Sequence, residues 1–171
     1  MTIAPLETPP PAGDTERIAF RPLAPADSGV AAELIRAAFA AQPRPTDPPS
    51  SALRETAQTV ADKIATGSGL FALAGGAMIA LALWQEKDGA LHIGRLSVLP
   101  GWRGRGLARA LIERSDAEAR SRGLTRLSLN VRLALDDNER FFSRRGFRRV
   151  GVASHLGHAE PTIAIVEKPI D

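Results

Sequence analysis

The chain has 171 residues, of which 44% are hydrophobic and 24% charged. This length fits one domain with a sizeable core, and the composition excludes collagen-like repeats and wholesale disorder. The absence of cysteine excludes disulfides, cysteine-ligated metal sites and thiolate nucleophiles, and it fits a cytoplasmic protein.

The net charge of +3 is unevenly distributed. Residues 95–149 hold fourteen arginines against six acidic residues, which indicates a local site for a polyanion. A nucleic-acid-binding module is the remote alternative. We expect no nucleic-acid partner, because aromatic residues make up only 5% of the chain and the acidic residues interrupt the basic block.

The first half of the chain predicts one strand, two helices and a hairpin. Residues 1–15 contain four prolines and lack the pattern of a signal peptide, so we expect a disordered lead before a single domain over residues 16–171. A strand is predicted over residues 17–23, followed by a helix capped by Asp27. After a proline-rich loop over residues 43–49, Ser50 or Ser51 is expected to cap a second helix that reaches about Thr66.

An uncharged stretch between Lys63 and Glu86 is nominally long enough to cross a membrane. Glycines interrupt it, including the pair Gly75 and Gly76. We therefore predict two strands, over residues 70–73 and 78–84, that meet at this pair. No membrane partner is expected.

The second half alternates strands with helices. Strands are predicted over residues 91–99 and 125–131, with a helix from about residue 106 to residue 121 between them. A short helix around residues 137–145 and two strands, over residues 147–150 and 162–166, follow. The fold class is therefore α/β, with a mixed sheet flanked by helices.

The turn between the strand at residues 91–99 and its helix carries the most informative motif. Arg103-Gly104-Arg105-Gly106 precedes the apolar helix. The first amides of a helix have no intrahelical acceptor and lie at the positive end of its dipole. Glycines let the backbone approach an anion closely. This turn predicts a binding site for one diphosphate group.

The chain resembles the GCN5-related N-acetyltransferases (GNAT), whose signature Arg/Gln-x-x-Gly-x-Gly/Ala matches residues 103–108. The preceding Leu-x-Val-x-Pro run and the segment Phe141-Phe142-Ser143-Arg144-Arg145-Gly146-Phe147 fall in the family's order. The resemblance implies a mostly antiparallel sheet of about seven strands, splayed between strands 4 and 5, with about four helices.

The resemblance also implies acetyl-CoA as co-substrate, with its pantetheine arm entering the gap between strands 4 and 5. The residues expected to bind it are Leu96, Ser97, Val98, Arg103, Gly104, Arg105, Gly106, Leu107, Ala108, Asn130, Asn138, Phe141 and Phe142. Backbone groups of Leu96 and Val98 would contact the arm and the thioester carbonyl.

The implied reaction is direct acetyl transfer to an amine in a ternary complex. A protonated amine must lose a proton before it attacks. His92, six residues before Val98, occupies the position of a strand histidine or glutamate in family members, and it is the candidate base. A half-exposed histidine without a role is the alternative. Glu86 and His155 are weaker candidates, and Glu86 also fits a solvated position before the turn at Lys87.

One departure from the family concerns the general acid. Many members have a tyrosine four residues before the Gly-Phe pair, where this chain has Phe142. The chain contains no tyrosine, so water would have to protonate the leaving thiolate. His155 and His158 have no clear third ligand for a metal, and no metal site is expected.

The sequence therefore predicts an N-acetyltransferase acting on an amine, most simply that of a small molecule. A catalytically weak acyl-CoA-binding regulatory domain is the alternative. The sequence does not name the acceptor, for which the N-terminal third offers only Glu33, Arg36 and Arg44 as recognition groups. It also leaves open whether the protein forms the homodimer common in the family.

Overall fold

The computed structural model describes residues 17–171; the lead expected over residues 1–15 lies outside the described residues. The described chain forms one seven-stranded sheet with four α-helices. The strands are β1 (Ala19–Pro22), β2 (Ser68–Ala74), β3 (Ala77–Lys87), β4 (Ala90–Val98), β5 (Arg126–Arg132), β6 (Arg148–Ala153) and β7 (Ile163–Pro169). The helices are α1 (Ser28–Ala40), α2 (Ala57–Thr66), α3 (Leu107–Ser121) and α4 (Asp136–Ser143). Their order along the chain confirms the predicted order.

The strands lie in the order β1-β2-β3-β4-β5-β7-β6. Every neighbouring pair is antiparallel except β4 and β5, which run parallel. These two strands pair only at Leu91 with Leu127 and at His92 with Ser128. Beyond His92 they separate, which confirms the predicted splay and leaves backbone groups of both strands facing a gap.

Buried side chains of the described residues form two clusters that hold the helices to the sheet. The first joins α1 and α2 to β2 and β3 and includes Leu34, Ile35 and Val60. The second joins α3 to the sheet around β4 and β5 and includes Ile93 and Ile112. Successive residues of a strand point to opposite faces. His92 therefore faces away from the cluster that contains Ile93 and Ile112.

The start of α2 differs from the prediction. Ser50 caps a short 3₁₀ turn, Ser51–Arg54, by accepting a hydrogen bond from the Ala52 N–H at 3.3 Å. Thr56 caps α2 itself by accepting from the Thr59 N–H at 3.2 Å. The prediction of a single helix from Ser50 or Ser51 was wrong because Glu55 is extended and separates the two elements.

The Asp27 cap was also predicted incorrectly. Asp27 is the residue before α1, but its carboxylate accepts a hydrogen bond from the Ala24 N–H at 2.7 Å and makes no cap bond to the helix. The aspartate closes the 3₁₀ turn Pro25–Asp27, which leads into α1.

The predicted hairpin between β2 and β3 is confirmed. Gly75 and Gly76, at φ of 55° and 80°, form its turn; two consecutive positive φ angles are typical of tight hairpins. In residues 17–171 no helix is long and apolar enough to cross a membrane.

Gly67, between α2 and β2, lies close to the backbone of β3, and this close approach can be tested. A Cβ at Gly67 would lie 2.2 Å from the Trp84 carbonyl oxygen, which is backbone and cannot rotate away. We expect Gly67→Ala to lower the free energy of unfolding by about 1–3 kcal/mol, as overpacking does. Gly29→Ala is the control, because a Cβ there meets nothing within 4 Å. Urea unfolding measures both, and equal stabilities would contradict the close approach.

Candidate active site

The turn before α3 has the geometry of an anion cradle. Gly104 and Gly106 adopt φ of 75° and 81°, and a Cβ at either residue would point into open space. The Ala110 N–H bonds to the Gly106 carbonyl at 2.9 Å. The amides that precede Ala110 in the first turn have no intrahelical acceptor. They are available to an anion together with the positive end of the helix dipole.

The two arginines of the turn have structural partners. The Arg103 guanidinium donates hydrogen bonds to the carbonyls of Ala38 at 2.8 Å and Ala41 at 3.2 Å, at the C-terminal end of α1. The Arg105 guanidinium stacks over the Trp102 ring at 4.5 Å. Arg103 and Arg105 were both expected to bind the co-substrate, whereas the cradle is built mainly from backbone groups.

A cavity of about 780 Å³ lies between the separated parts of β4 and β5 and continues to the cradle. This volume is typical of small-molecule and cofactor sites. Twelve of the thirteen residues expected to bind the co-substrate line it, and Arg105 does not: the lining set is Leu96, Ser97, Val98, Arg103, Gly104, Gly106, Leu107, Ala108, Asn130, Asn138, Phe141 and Phe142. The sequence motif and the splayed strands therefore meet in one site.

A β-bulge shapes the β4 wall of the cavity. The register between β3 and β4 shifts between Leu81 and Leu83, where Leu81 pairs with Ser97 and Leu83 with Gly94. Within this bulge Arg95 has φ of 52°, a conformation unusual for a residue with a side chain. Such a conformation persists where the surroundings fix it, and a bulge redirects the strand that carries it.

Glu55 provides the anchor that fixes Arg95. Its buried carboxylate accepts a hydrogen bond from Arg95 Nε at 2.8 Å and pairs with Lys63 Nζ at 2.9 Å. Thr59 Oγ1 also donates to it. Burial raises the pKa of Glu55, but the hydrogen bonds from Thr59, Lys63 and Arg95 outweigh burial and hold it below its usual value. The carboxylate is therefore charged at neutral pH.

His92 lies near the point where β4 and β5 separate. Its Nδ1 is 3.0 Å from Ser128 Oγ, and it lines the main cavity. A second cavity of about 180 Å³, lined also by Lys63 and Gln85, lies on its other side. Burial lowers the pKa of His92 below its usual 6.5, and the charge of Lys87 lowers it further. The imidazole is therefore neutral at pH 7 and able to accept a proton.

The two weaker candidates for the base lie in different places. Glu86 pairs with Arg122 at 3.1 Å and is not in the cavity wall. His155 is in the wall, with its Nδ1 2.5 Å from Thr162 Oγ1. Burial and the nearby Arg132 lower the pKa of His155. The structure thus brings His92 and His155 to one cavity.

Phe142 packs its ring edge-on against Phe141 and Phe147, with centroids 5.2 and 5.7 Å away. It lines the cavity but has no proton to donate. Asn138, on α4, lines the same wall.

Sequence reasoning missed several residues of the site. Glu55 and Arg95 are forty residues apart, and no motif indicated that they pair. Arg132 and Arg145 also line the cavity but are two of many arginines in the basic block. Strand alternation could have placed Arg132 on the same face as Ser128 and Asn130. Glu33, Arg36 and Arg44, considered earlier for the acceptor, are not in the wall.

The model of the acetyltransferase (GNAT) family matches residues 32–147, more than half of the chain. The chain therefore belongs to the GNAT acetyltransferase family, as its motif indicated.

Solved structures share this fold. The ribosomal-protein-S18-alanine N-acetyltransferase from Escherichia coli is 21% identical with a TM-score of 0.72, over 90% of this chain and 94% of that one. The PaiA N-acetyltransferase from Thermoplasma acidophilum, solved in complex with coenzyme A, is 18% identical with a TM-score of 0.72, over 90% and 99% of the two chains. A comparison with curated proteins found no match.

The ion pairs of Glu55 predict that the stability of the fold depends on pH. Glu55→Gln leaves Arg95 and Lys63 without a carboxylate, and we expect a loss of about 3 kcal/mol or more at pH 7, as for other broken buried pairs. Because the pKa of Glu55 is lowered by folding, its contribution is complete above the unfolded pKa of about 4.3 and declines as pH falls through the folded value.

Denaturant unfolding of the wild type and Glu55→Gln between pH 7 and pH 3 measures this difference. Asp62→Asn, on the exposed side of α2, is the control for loss of one carboxylate. A stability difference that stays constant across this pH range would contradict the proposed ionisation of Glu55.

Proposed function

We propose that this protein is an N-acetyltransferase that moves an acetyl group from acetyl-CoA to the primary amine of a small molecule. The observation that carries the proposal is the continuity of the cradle at Gly104 and Gly106 with the gap between β4 and β5. Membership of the acetyltransferase family supports it.

The residues of the site fit the co-substrate. The cradle offers backbone N–H groups to a diphosphate, and open space lies where a Cβ at Gly104 or Gly106 would stand. Beyond His92 the backbone of β4 has no partner on β5. Leu96 and Val98 can therefore pair with the amide groups of an extended arm as an added strand would. Acetyl-CoA supplies the acetyl group as a thioester.

A protonated amine loses two protons during acetylation, one before the nitrogen attacks and one as the amide forms. When the acceptor nitrogen bonds to the acetyl carbon, the carbon–sulfur bond breaks, a proton leaves the nitrogen and the sulfur departs as a thiolate. We propose that His92 accepts the proton from the nitrogen, directly or through water, because the neutral His92 ring lines the cavity. Ser128 orients this ring through its contact with Nδ1.

A second candidate function is an acyl-CoA-binding domain of low activity. Phe142 favours it, because a phenyl ring packed between two others cannot protonate a thiolate. Loss of a general acid typically costs about 10²–10⁴-fold in rate. Binding and turnover must therefore be measured separately.

Binding is tested by thermal unfolding. At a hundred times its Kd, acetyl-CoA should stabilise the fold by about 2.7 kcal/mol. Such a gain raises Tm by roughly 5–10 °C in a chain of this size. We expect Gly106→Glu to abolish this shift because it places a carboxylate in the cradle.

The matched control is Gly76→Glu. Gly76 has nearly the same φ as Gly106, 80° against 81°, and equally open surroundings, but lies in the hairpin turn. It should therefore lose comparable stability and retain the shift. Loss of the shift in both variants, or no shift in the wild type at millimolar acetyl-CoA, would overturn the binding site.

The base is tested by the pH dependence of kcat/KM, followed by thiol release. Because burial lowers the pKa of His92, activity should rise as pH rises through that pKa and reach its plateau at a lower pH than a free imidazole would allow. We expect His92→Gln to lower kcat/KM by about 10²–10⁴-fold and to remove this acid limb. His158→Gln is the control, since His158 is not in the cavity wall. An acid limb retained by His92→Gln would assign the proton to another group.

A further inference from the structure

The charges around the cavity point to the chemistry of the acceptor, on the premise of the acetyltransferase function proposed above. Among the described residues that line the cavity there is no aspartate or glutamate, whereas five arginines and two histidines are present. A wall of this kind does not attract a polycation. It matches anionic groups, which the diphosphate of acetyl-CoA supplies at the cradle and a negatively charged acceptor would supply elsewhere in the cavity.

Four of the five arginines already have acceptors within the protein. These are Arg95 on Glu55 and Ser51, Arg103 on the carbonyls of Ala38 and Ala41, Arg109 on Glu113, and Arg145 on the Phe141 carbonyl. Arg95 and Arg103 link distant segments of the chain, whereas Arg109 and Arg145 bond within one helical turn, and the Nε of Arg145 is buried without a partner.

Arg132 is the exception. In residues 17–171 its guanidinium makes no hydrogen bond and forms no ion pair within 4 Å. Burial lowers the pKa of Arg132, and the charge of Asp47, on an exposed loop, only partly opposes this. Arg132 has therefore lost part of its hydration without gaining a partner. A half-buried cation in this state binds a carboxylate favourably, since two parallel hydrogen bonds replace the lost water.

The strand register places Arg132 on the same face of the sheet as His92. His92 pairs with Ser128, so their side chains share one face of the sheet. Arg132 lies four residues beyond Ser128 along β5 and has the same alternation, so it belongs to the face of His92. Arg132 and His92 both line the cavity between the separated parts of the two strands. A carboxylate bound by Arg132 and an amine that reaches His92 would therefore occupy the same cavity.

We propose that the acceptor is an amino-acid-like molecule, a primary amine that also carries a carboxylate, and that Arg132 binds this carboxylate. His92 then receives the proton from the amine at the other end of the same small molecule. The side chain of Arg132 acts in recognition and takes no part in proton transfer.

The experiment compares amino acids with their primary amides as acceptors. The amide has the less basic amine, so without recognition of the carboxylate it would be acetylated more readily. We expect the wild type to prefer the free acid. In Arg132→Gln the KM for the acid should rise about 10–100-fold, as for loss of a charged hydrogen-bonded pair, while the KM for the amide changes less than about twofold.

Arg140→Gln is the control for loss of one positive charge, because Arg140 is exposed on α4 and outside the cavity wall. It should leave both KM values unchanged. Arg132→Lys keeps the charge without the paired donors and should give an intermediate KM for the acid. Tm measurements verify that each variant is folded.

A second readout is independent of turnover. Calorimetry with N-acetylated amino acids should detect binding to the wild type and about 10–100-fold weaker binding to Arg132→Gln, with no such difference for the N-acetylated amides. A preference for amides, or equal KM values in the wild type and Arg132→Gln, would overturn the proposal. A rise in the KM for acetyl-CoA alone would also overturn it, because Arg132 would then contact a phosphate.

Failure of this inference differs from failure of the proposed function. If acetyl-CoA raises Tm and amines without a carboxylate are acetylated best, only the assignment of Arg132 is wrong. If acetyl-CoA neither raises Tm nor releases thiol with any amine, the acetyltransferase function itself fails.

Discussion

The short parallel contact between β4 and β5 is the constraint on which the site depends. Two residue pairs, Leu91 with Leu127 and His92 with Ser128, hold the strands together, and beyond them the strands separate. Backbone N–H and C=O groups inside a protein need partners. A sheet opened in its middle therefore creates a demand for an extended ligand, and the anion cradle lies at the mouth of the same gap.

The opening is maintained by interactions outside the cavity as well as by the strands. Arg95 has a positive φ at the bulge, and the Glu55 carboxylate fixes the Arg95 side chain by a hydrogen bond. Glu55 is in turn fixed by Lys63 and Thr59 of α2. The second helix therefore contributes to the active site without contacting it, by stabilising the shape of one wall.

The fold was largely predictable because its signals are local. Three elements follow from nearby residues alone. These signals are the alternation of apolar and polar residues over 127–131, the helical spacing of apolar residues after Gly106 and the glycine pair at the hairpin. Their order then matched the family. The errors also have local causes. Ser50 caps the 3₁₀ turn and Thr56 caps α2, and a hydroxyl side chain at either position is typical of a helix start.

The site was predictable where backbone chemistry determines it and not where distant side chains do. The cradle needs glycines at two positions of one turn, and these are visible in the sequence. The ion pair of Glu55 and Arg95 joins the segment before α2 to β4, and whether Arg132 has a partner depends on every neighbour around it. The chain has nineteen arginines, and composition alone cannot distinguish an arginine that bonds within the protein from one that is available to a ligand.

The hydrogen bonds of Arg103 link two parts of the molecule that are distant in the chain. This side chain, next to the cradle, donates hydrogen bonds to the last carbonyls of α1, more than sixty residues away. The position of the turn that carries the cradle therefore depends on where the first helix ends. Adding or deleting a single residue in α1 would rotate its end by about 100°. Arg103 would then lose its acceptors, so α1 cannot change in length without a compensating change in this turn.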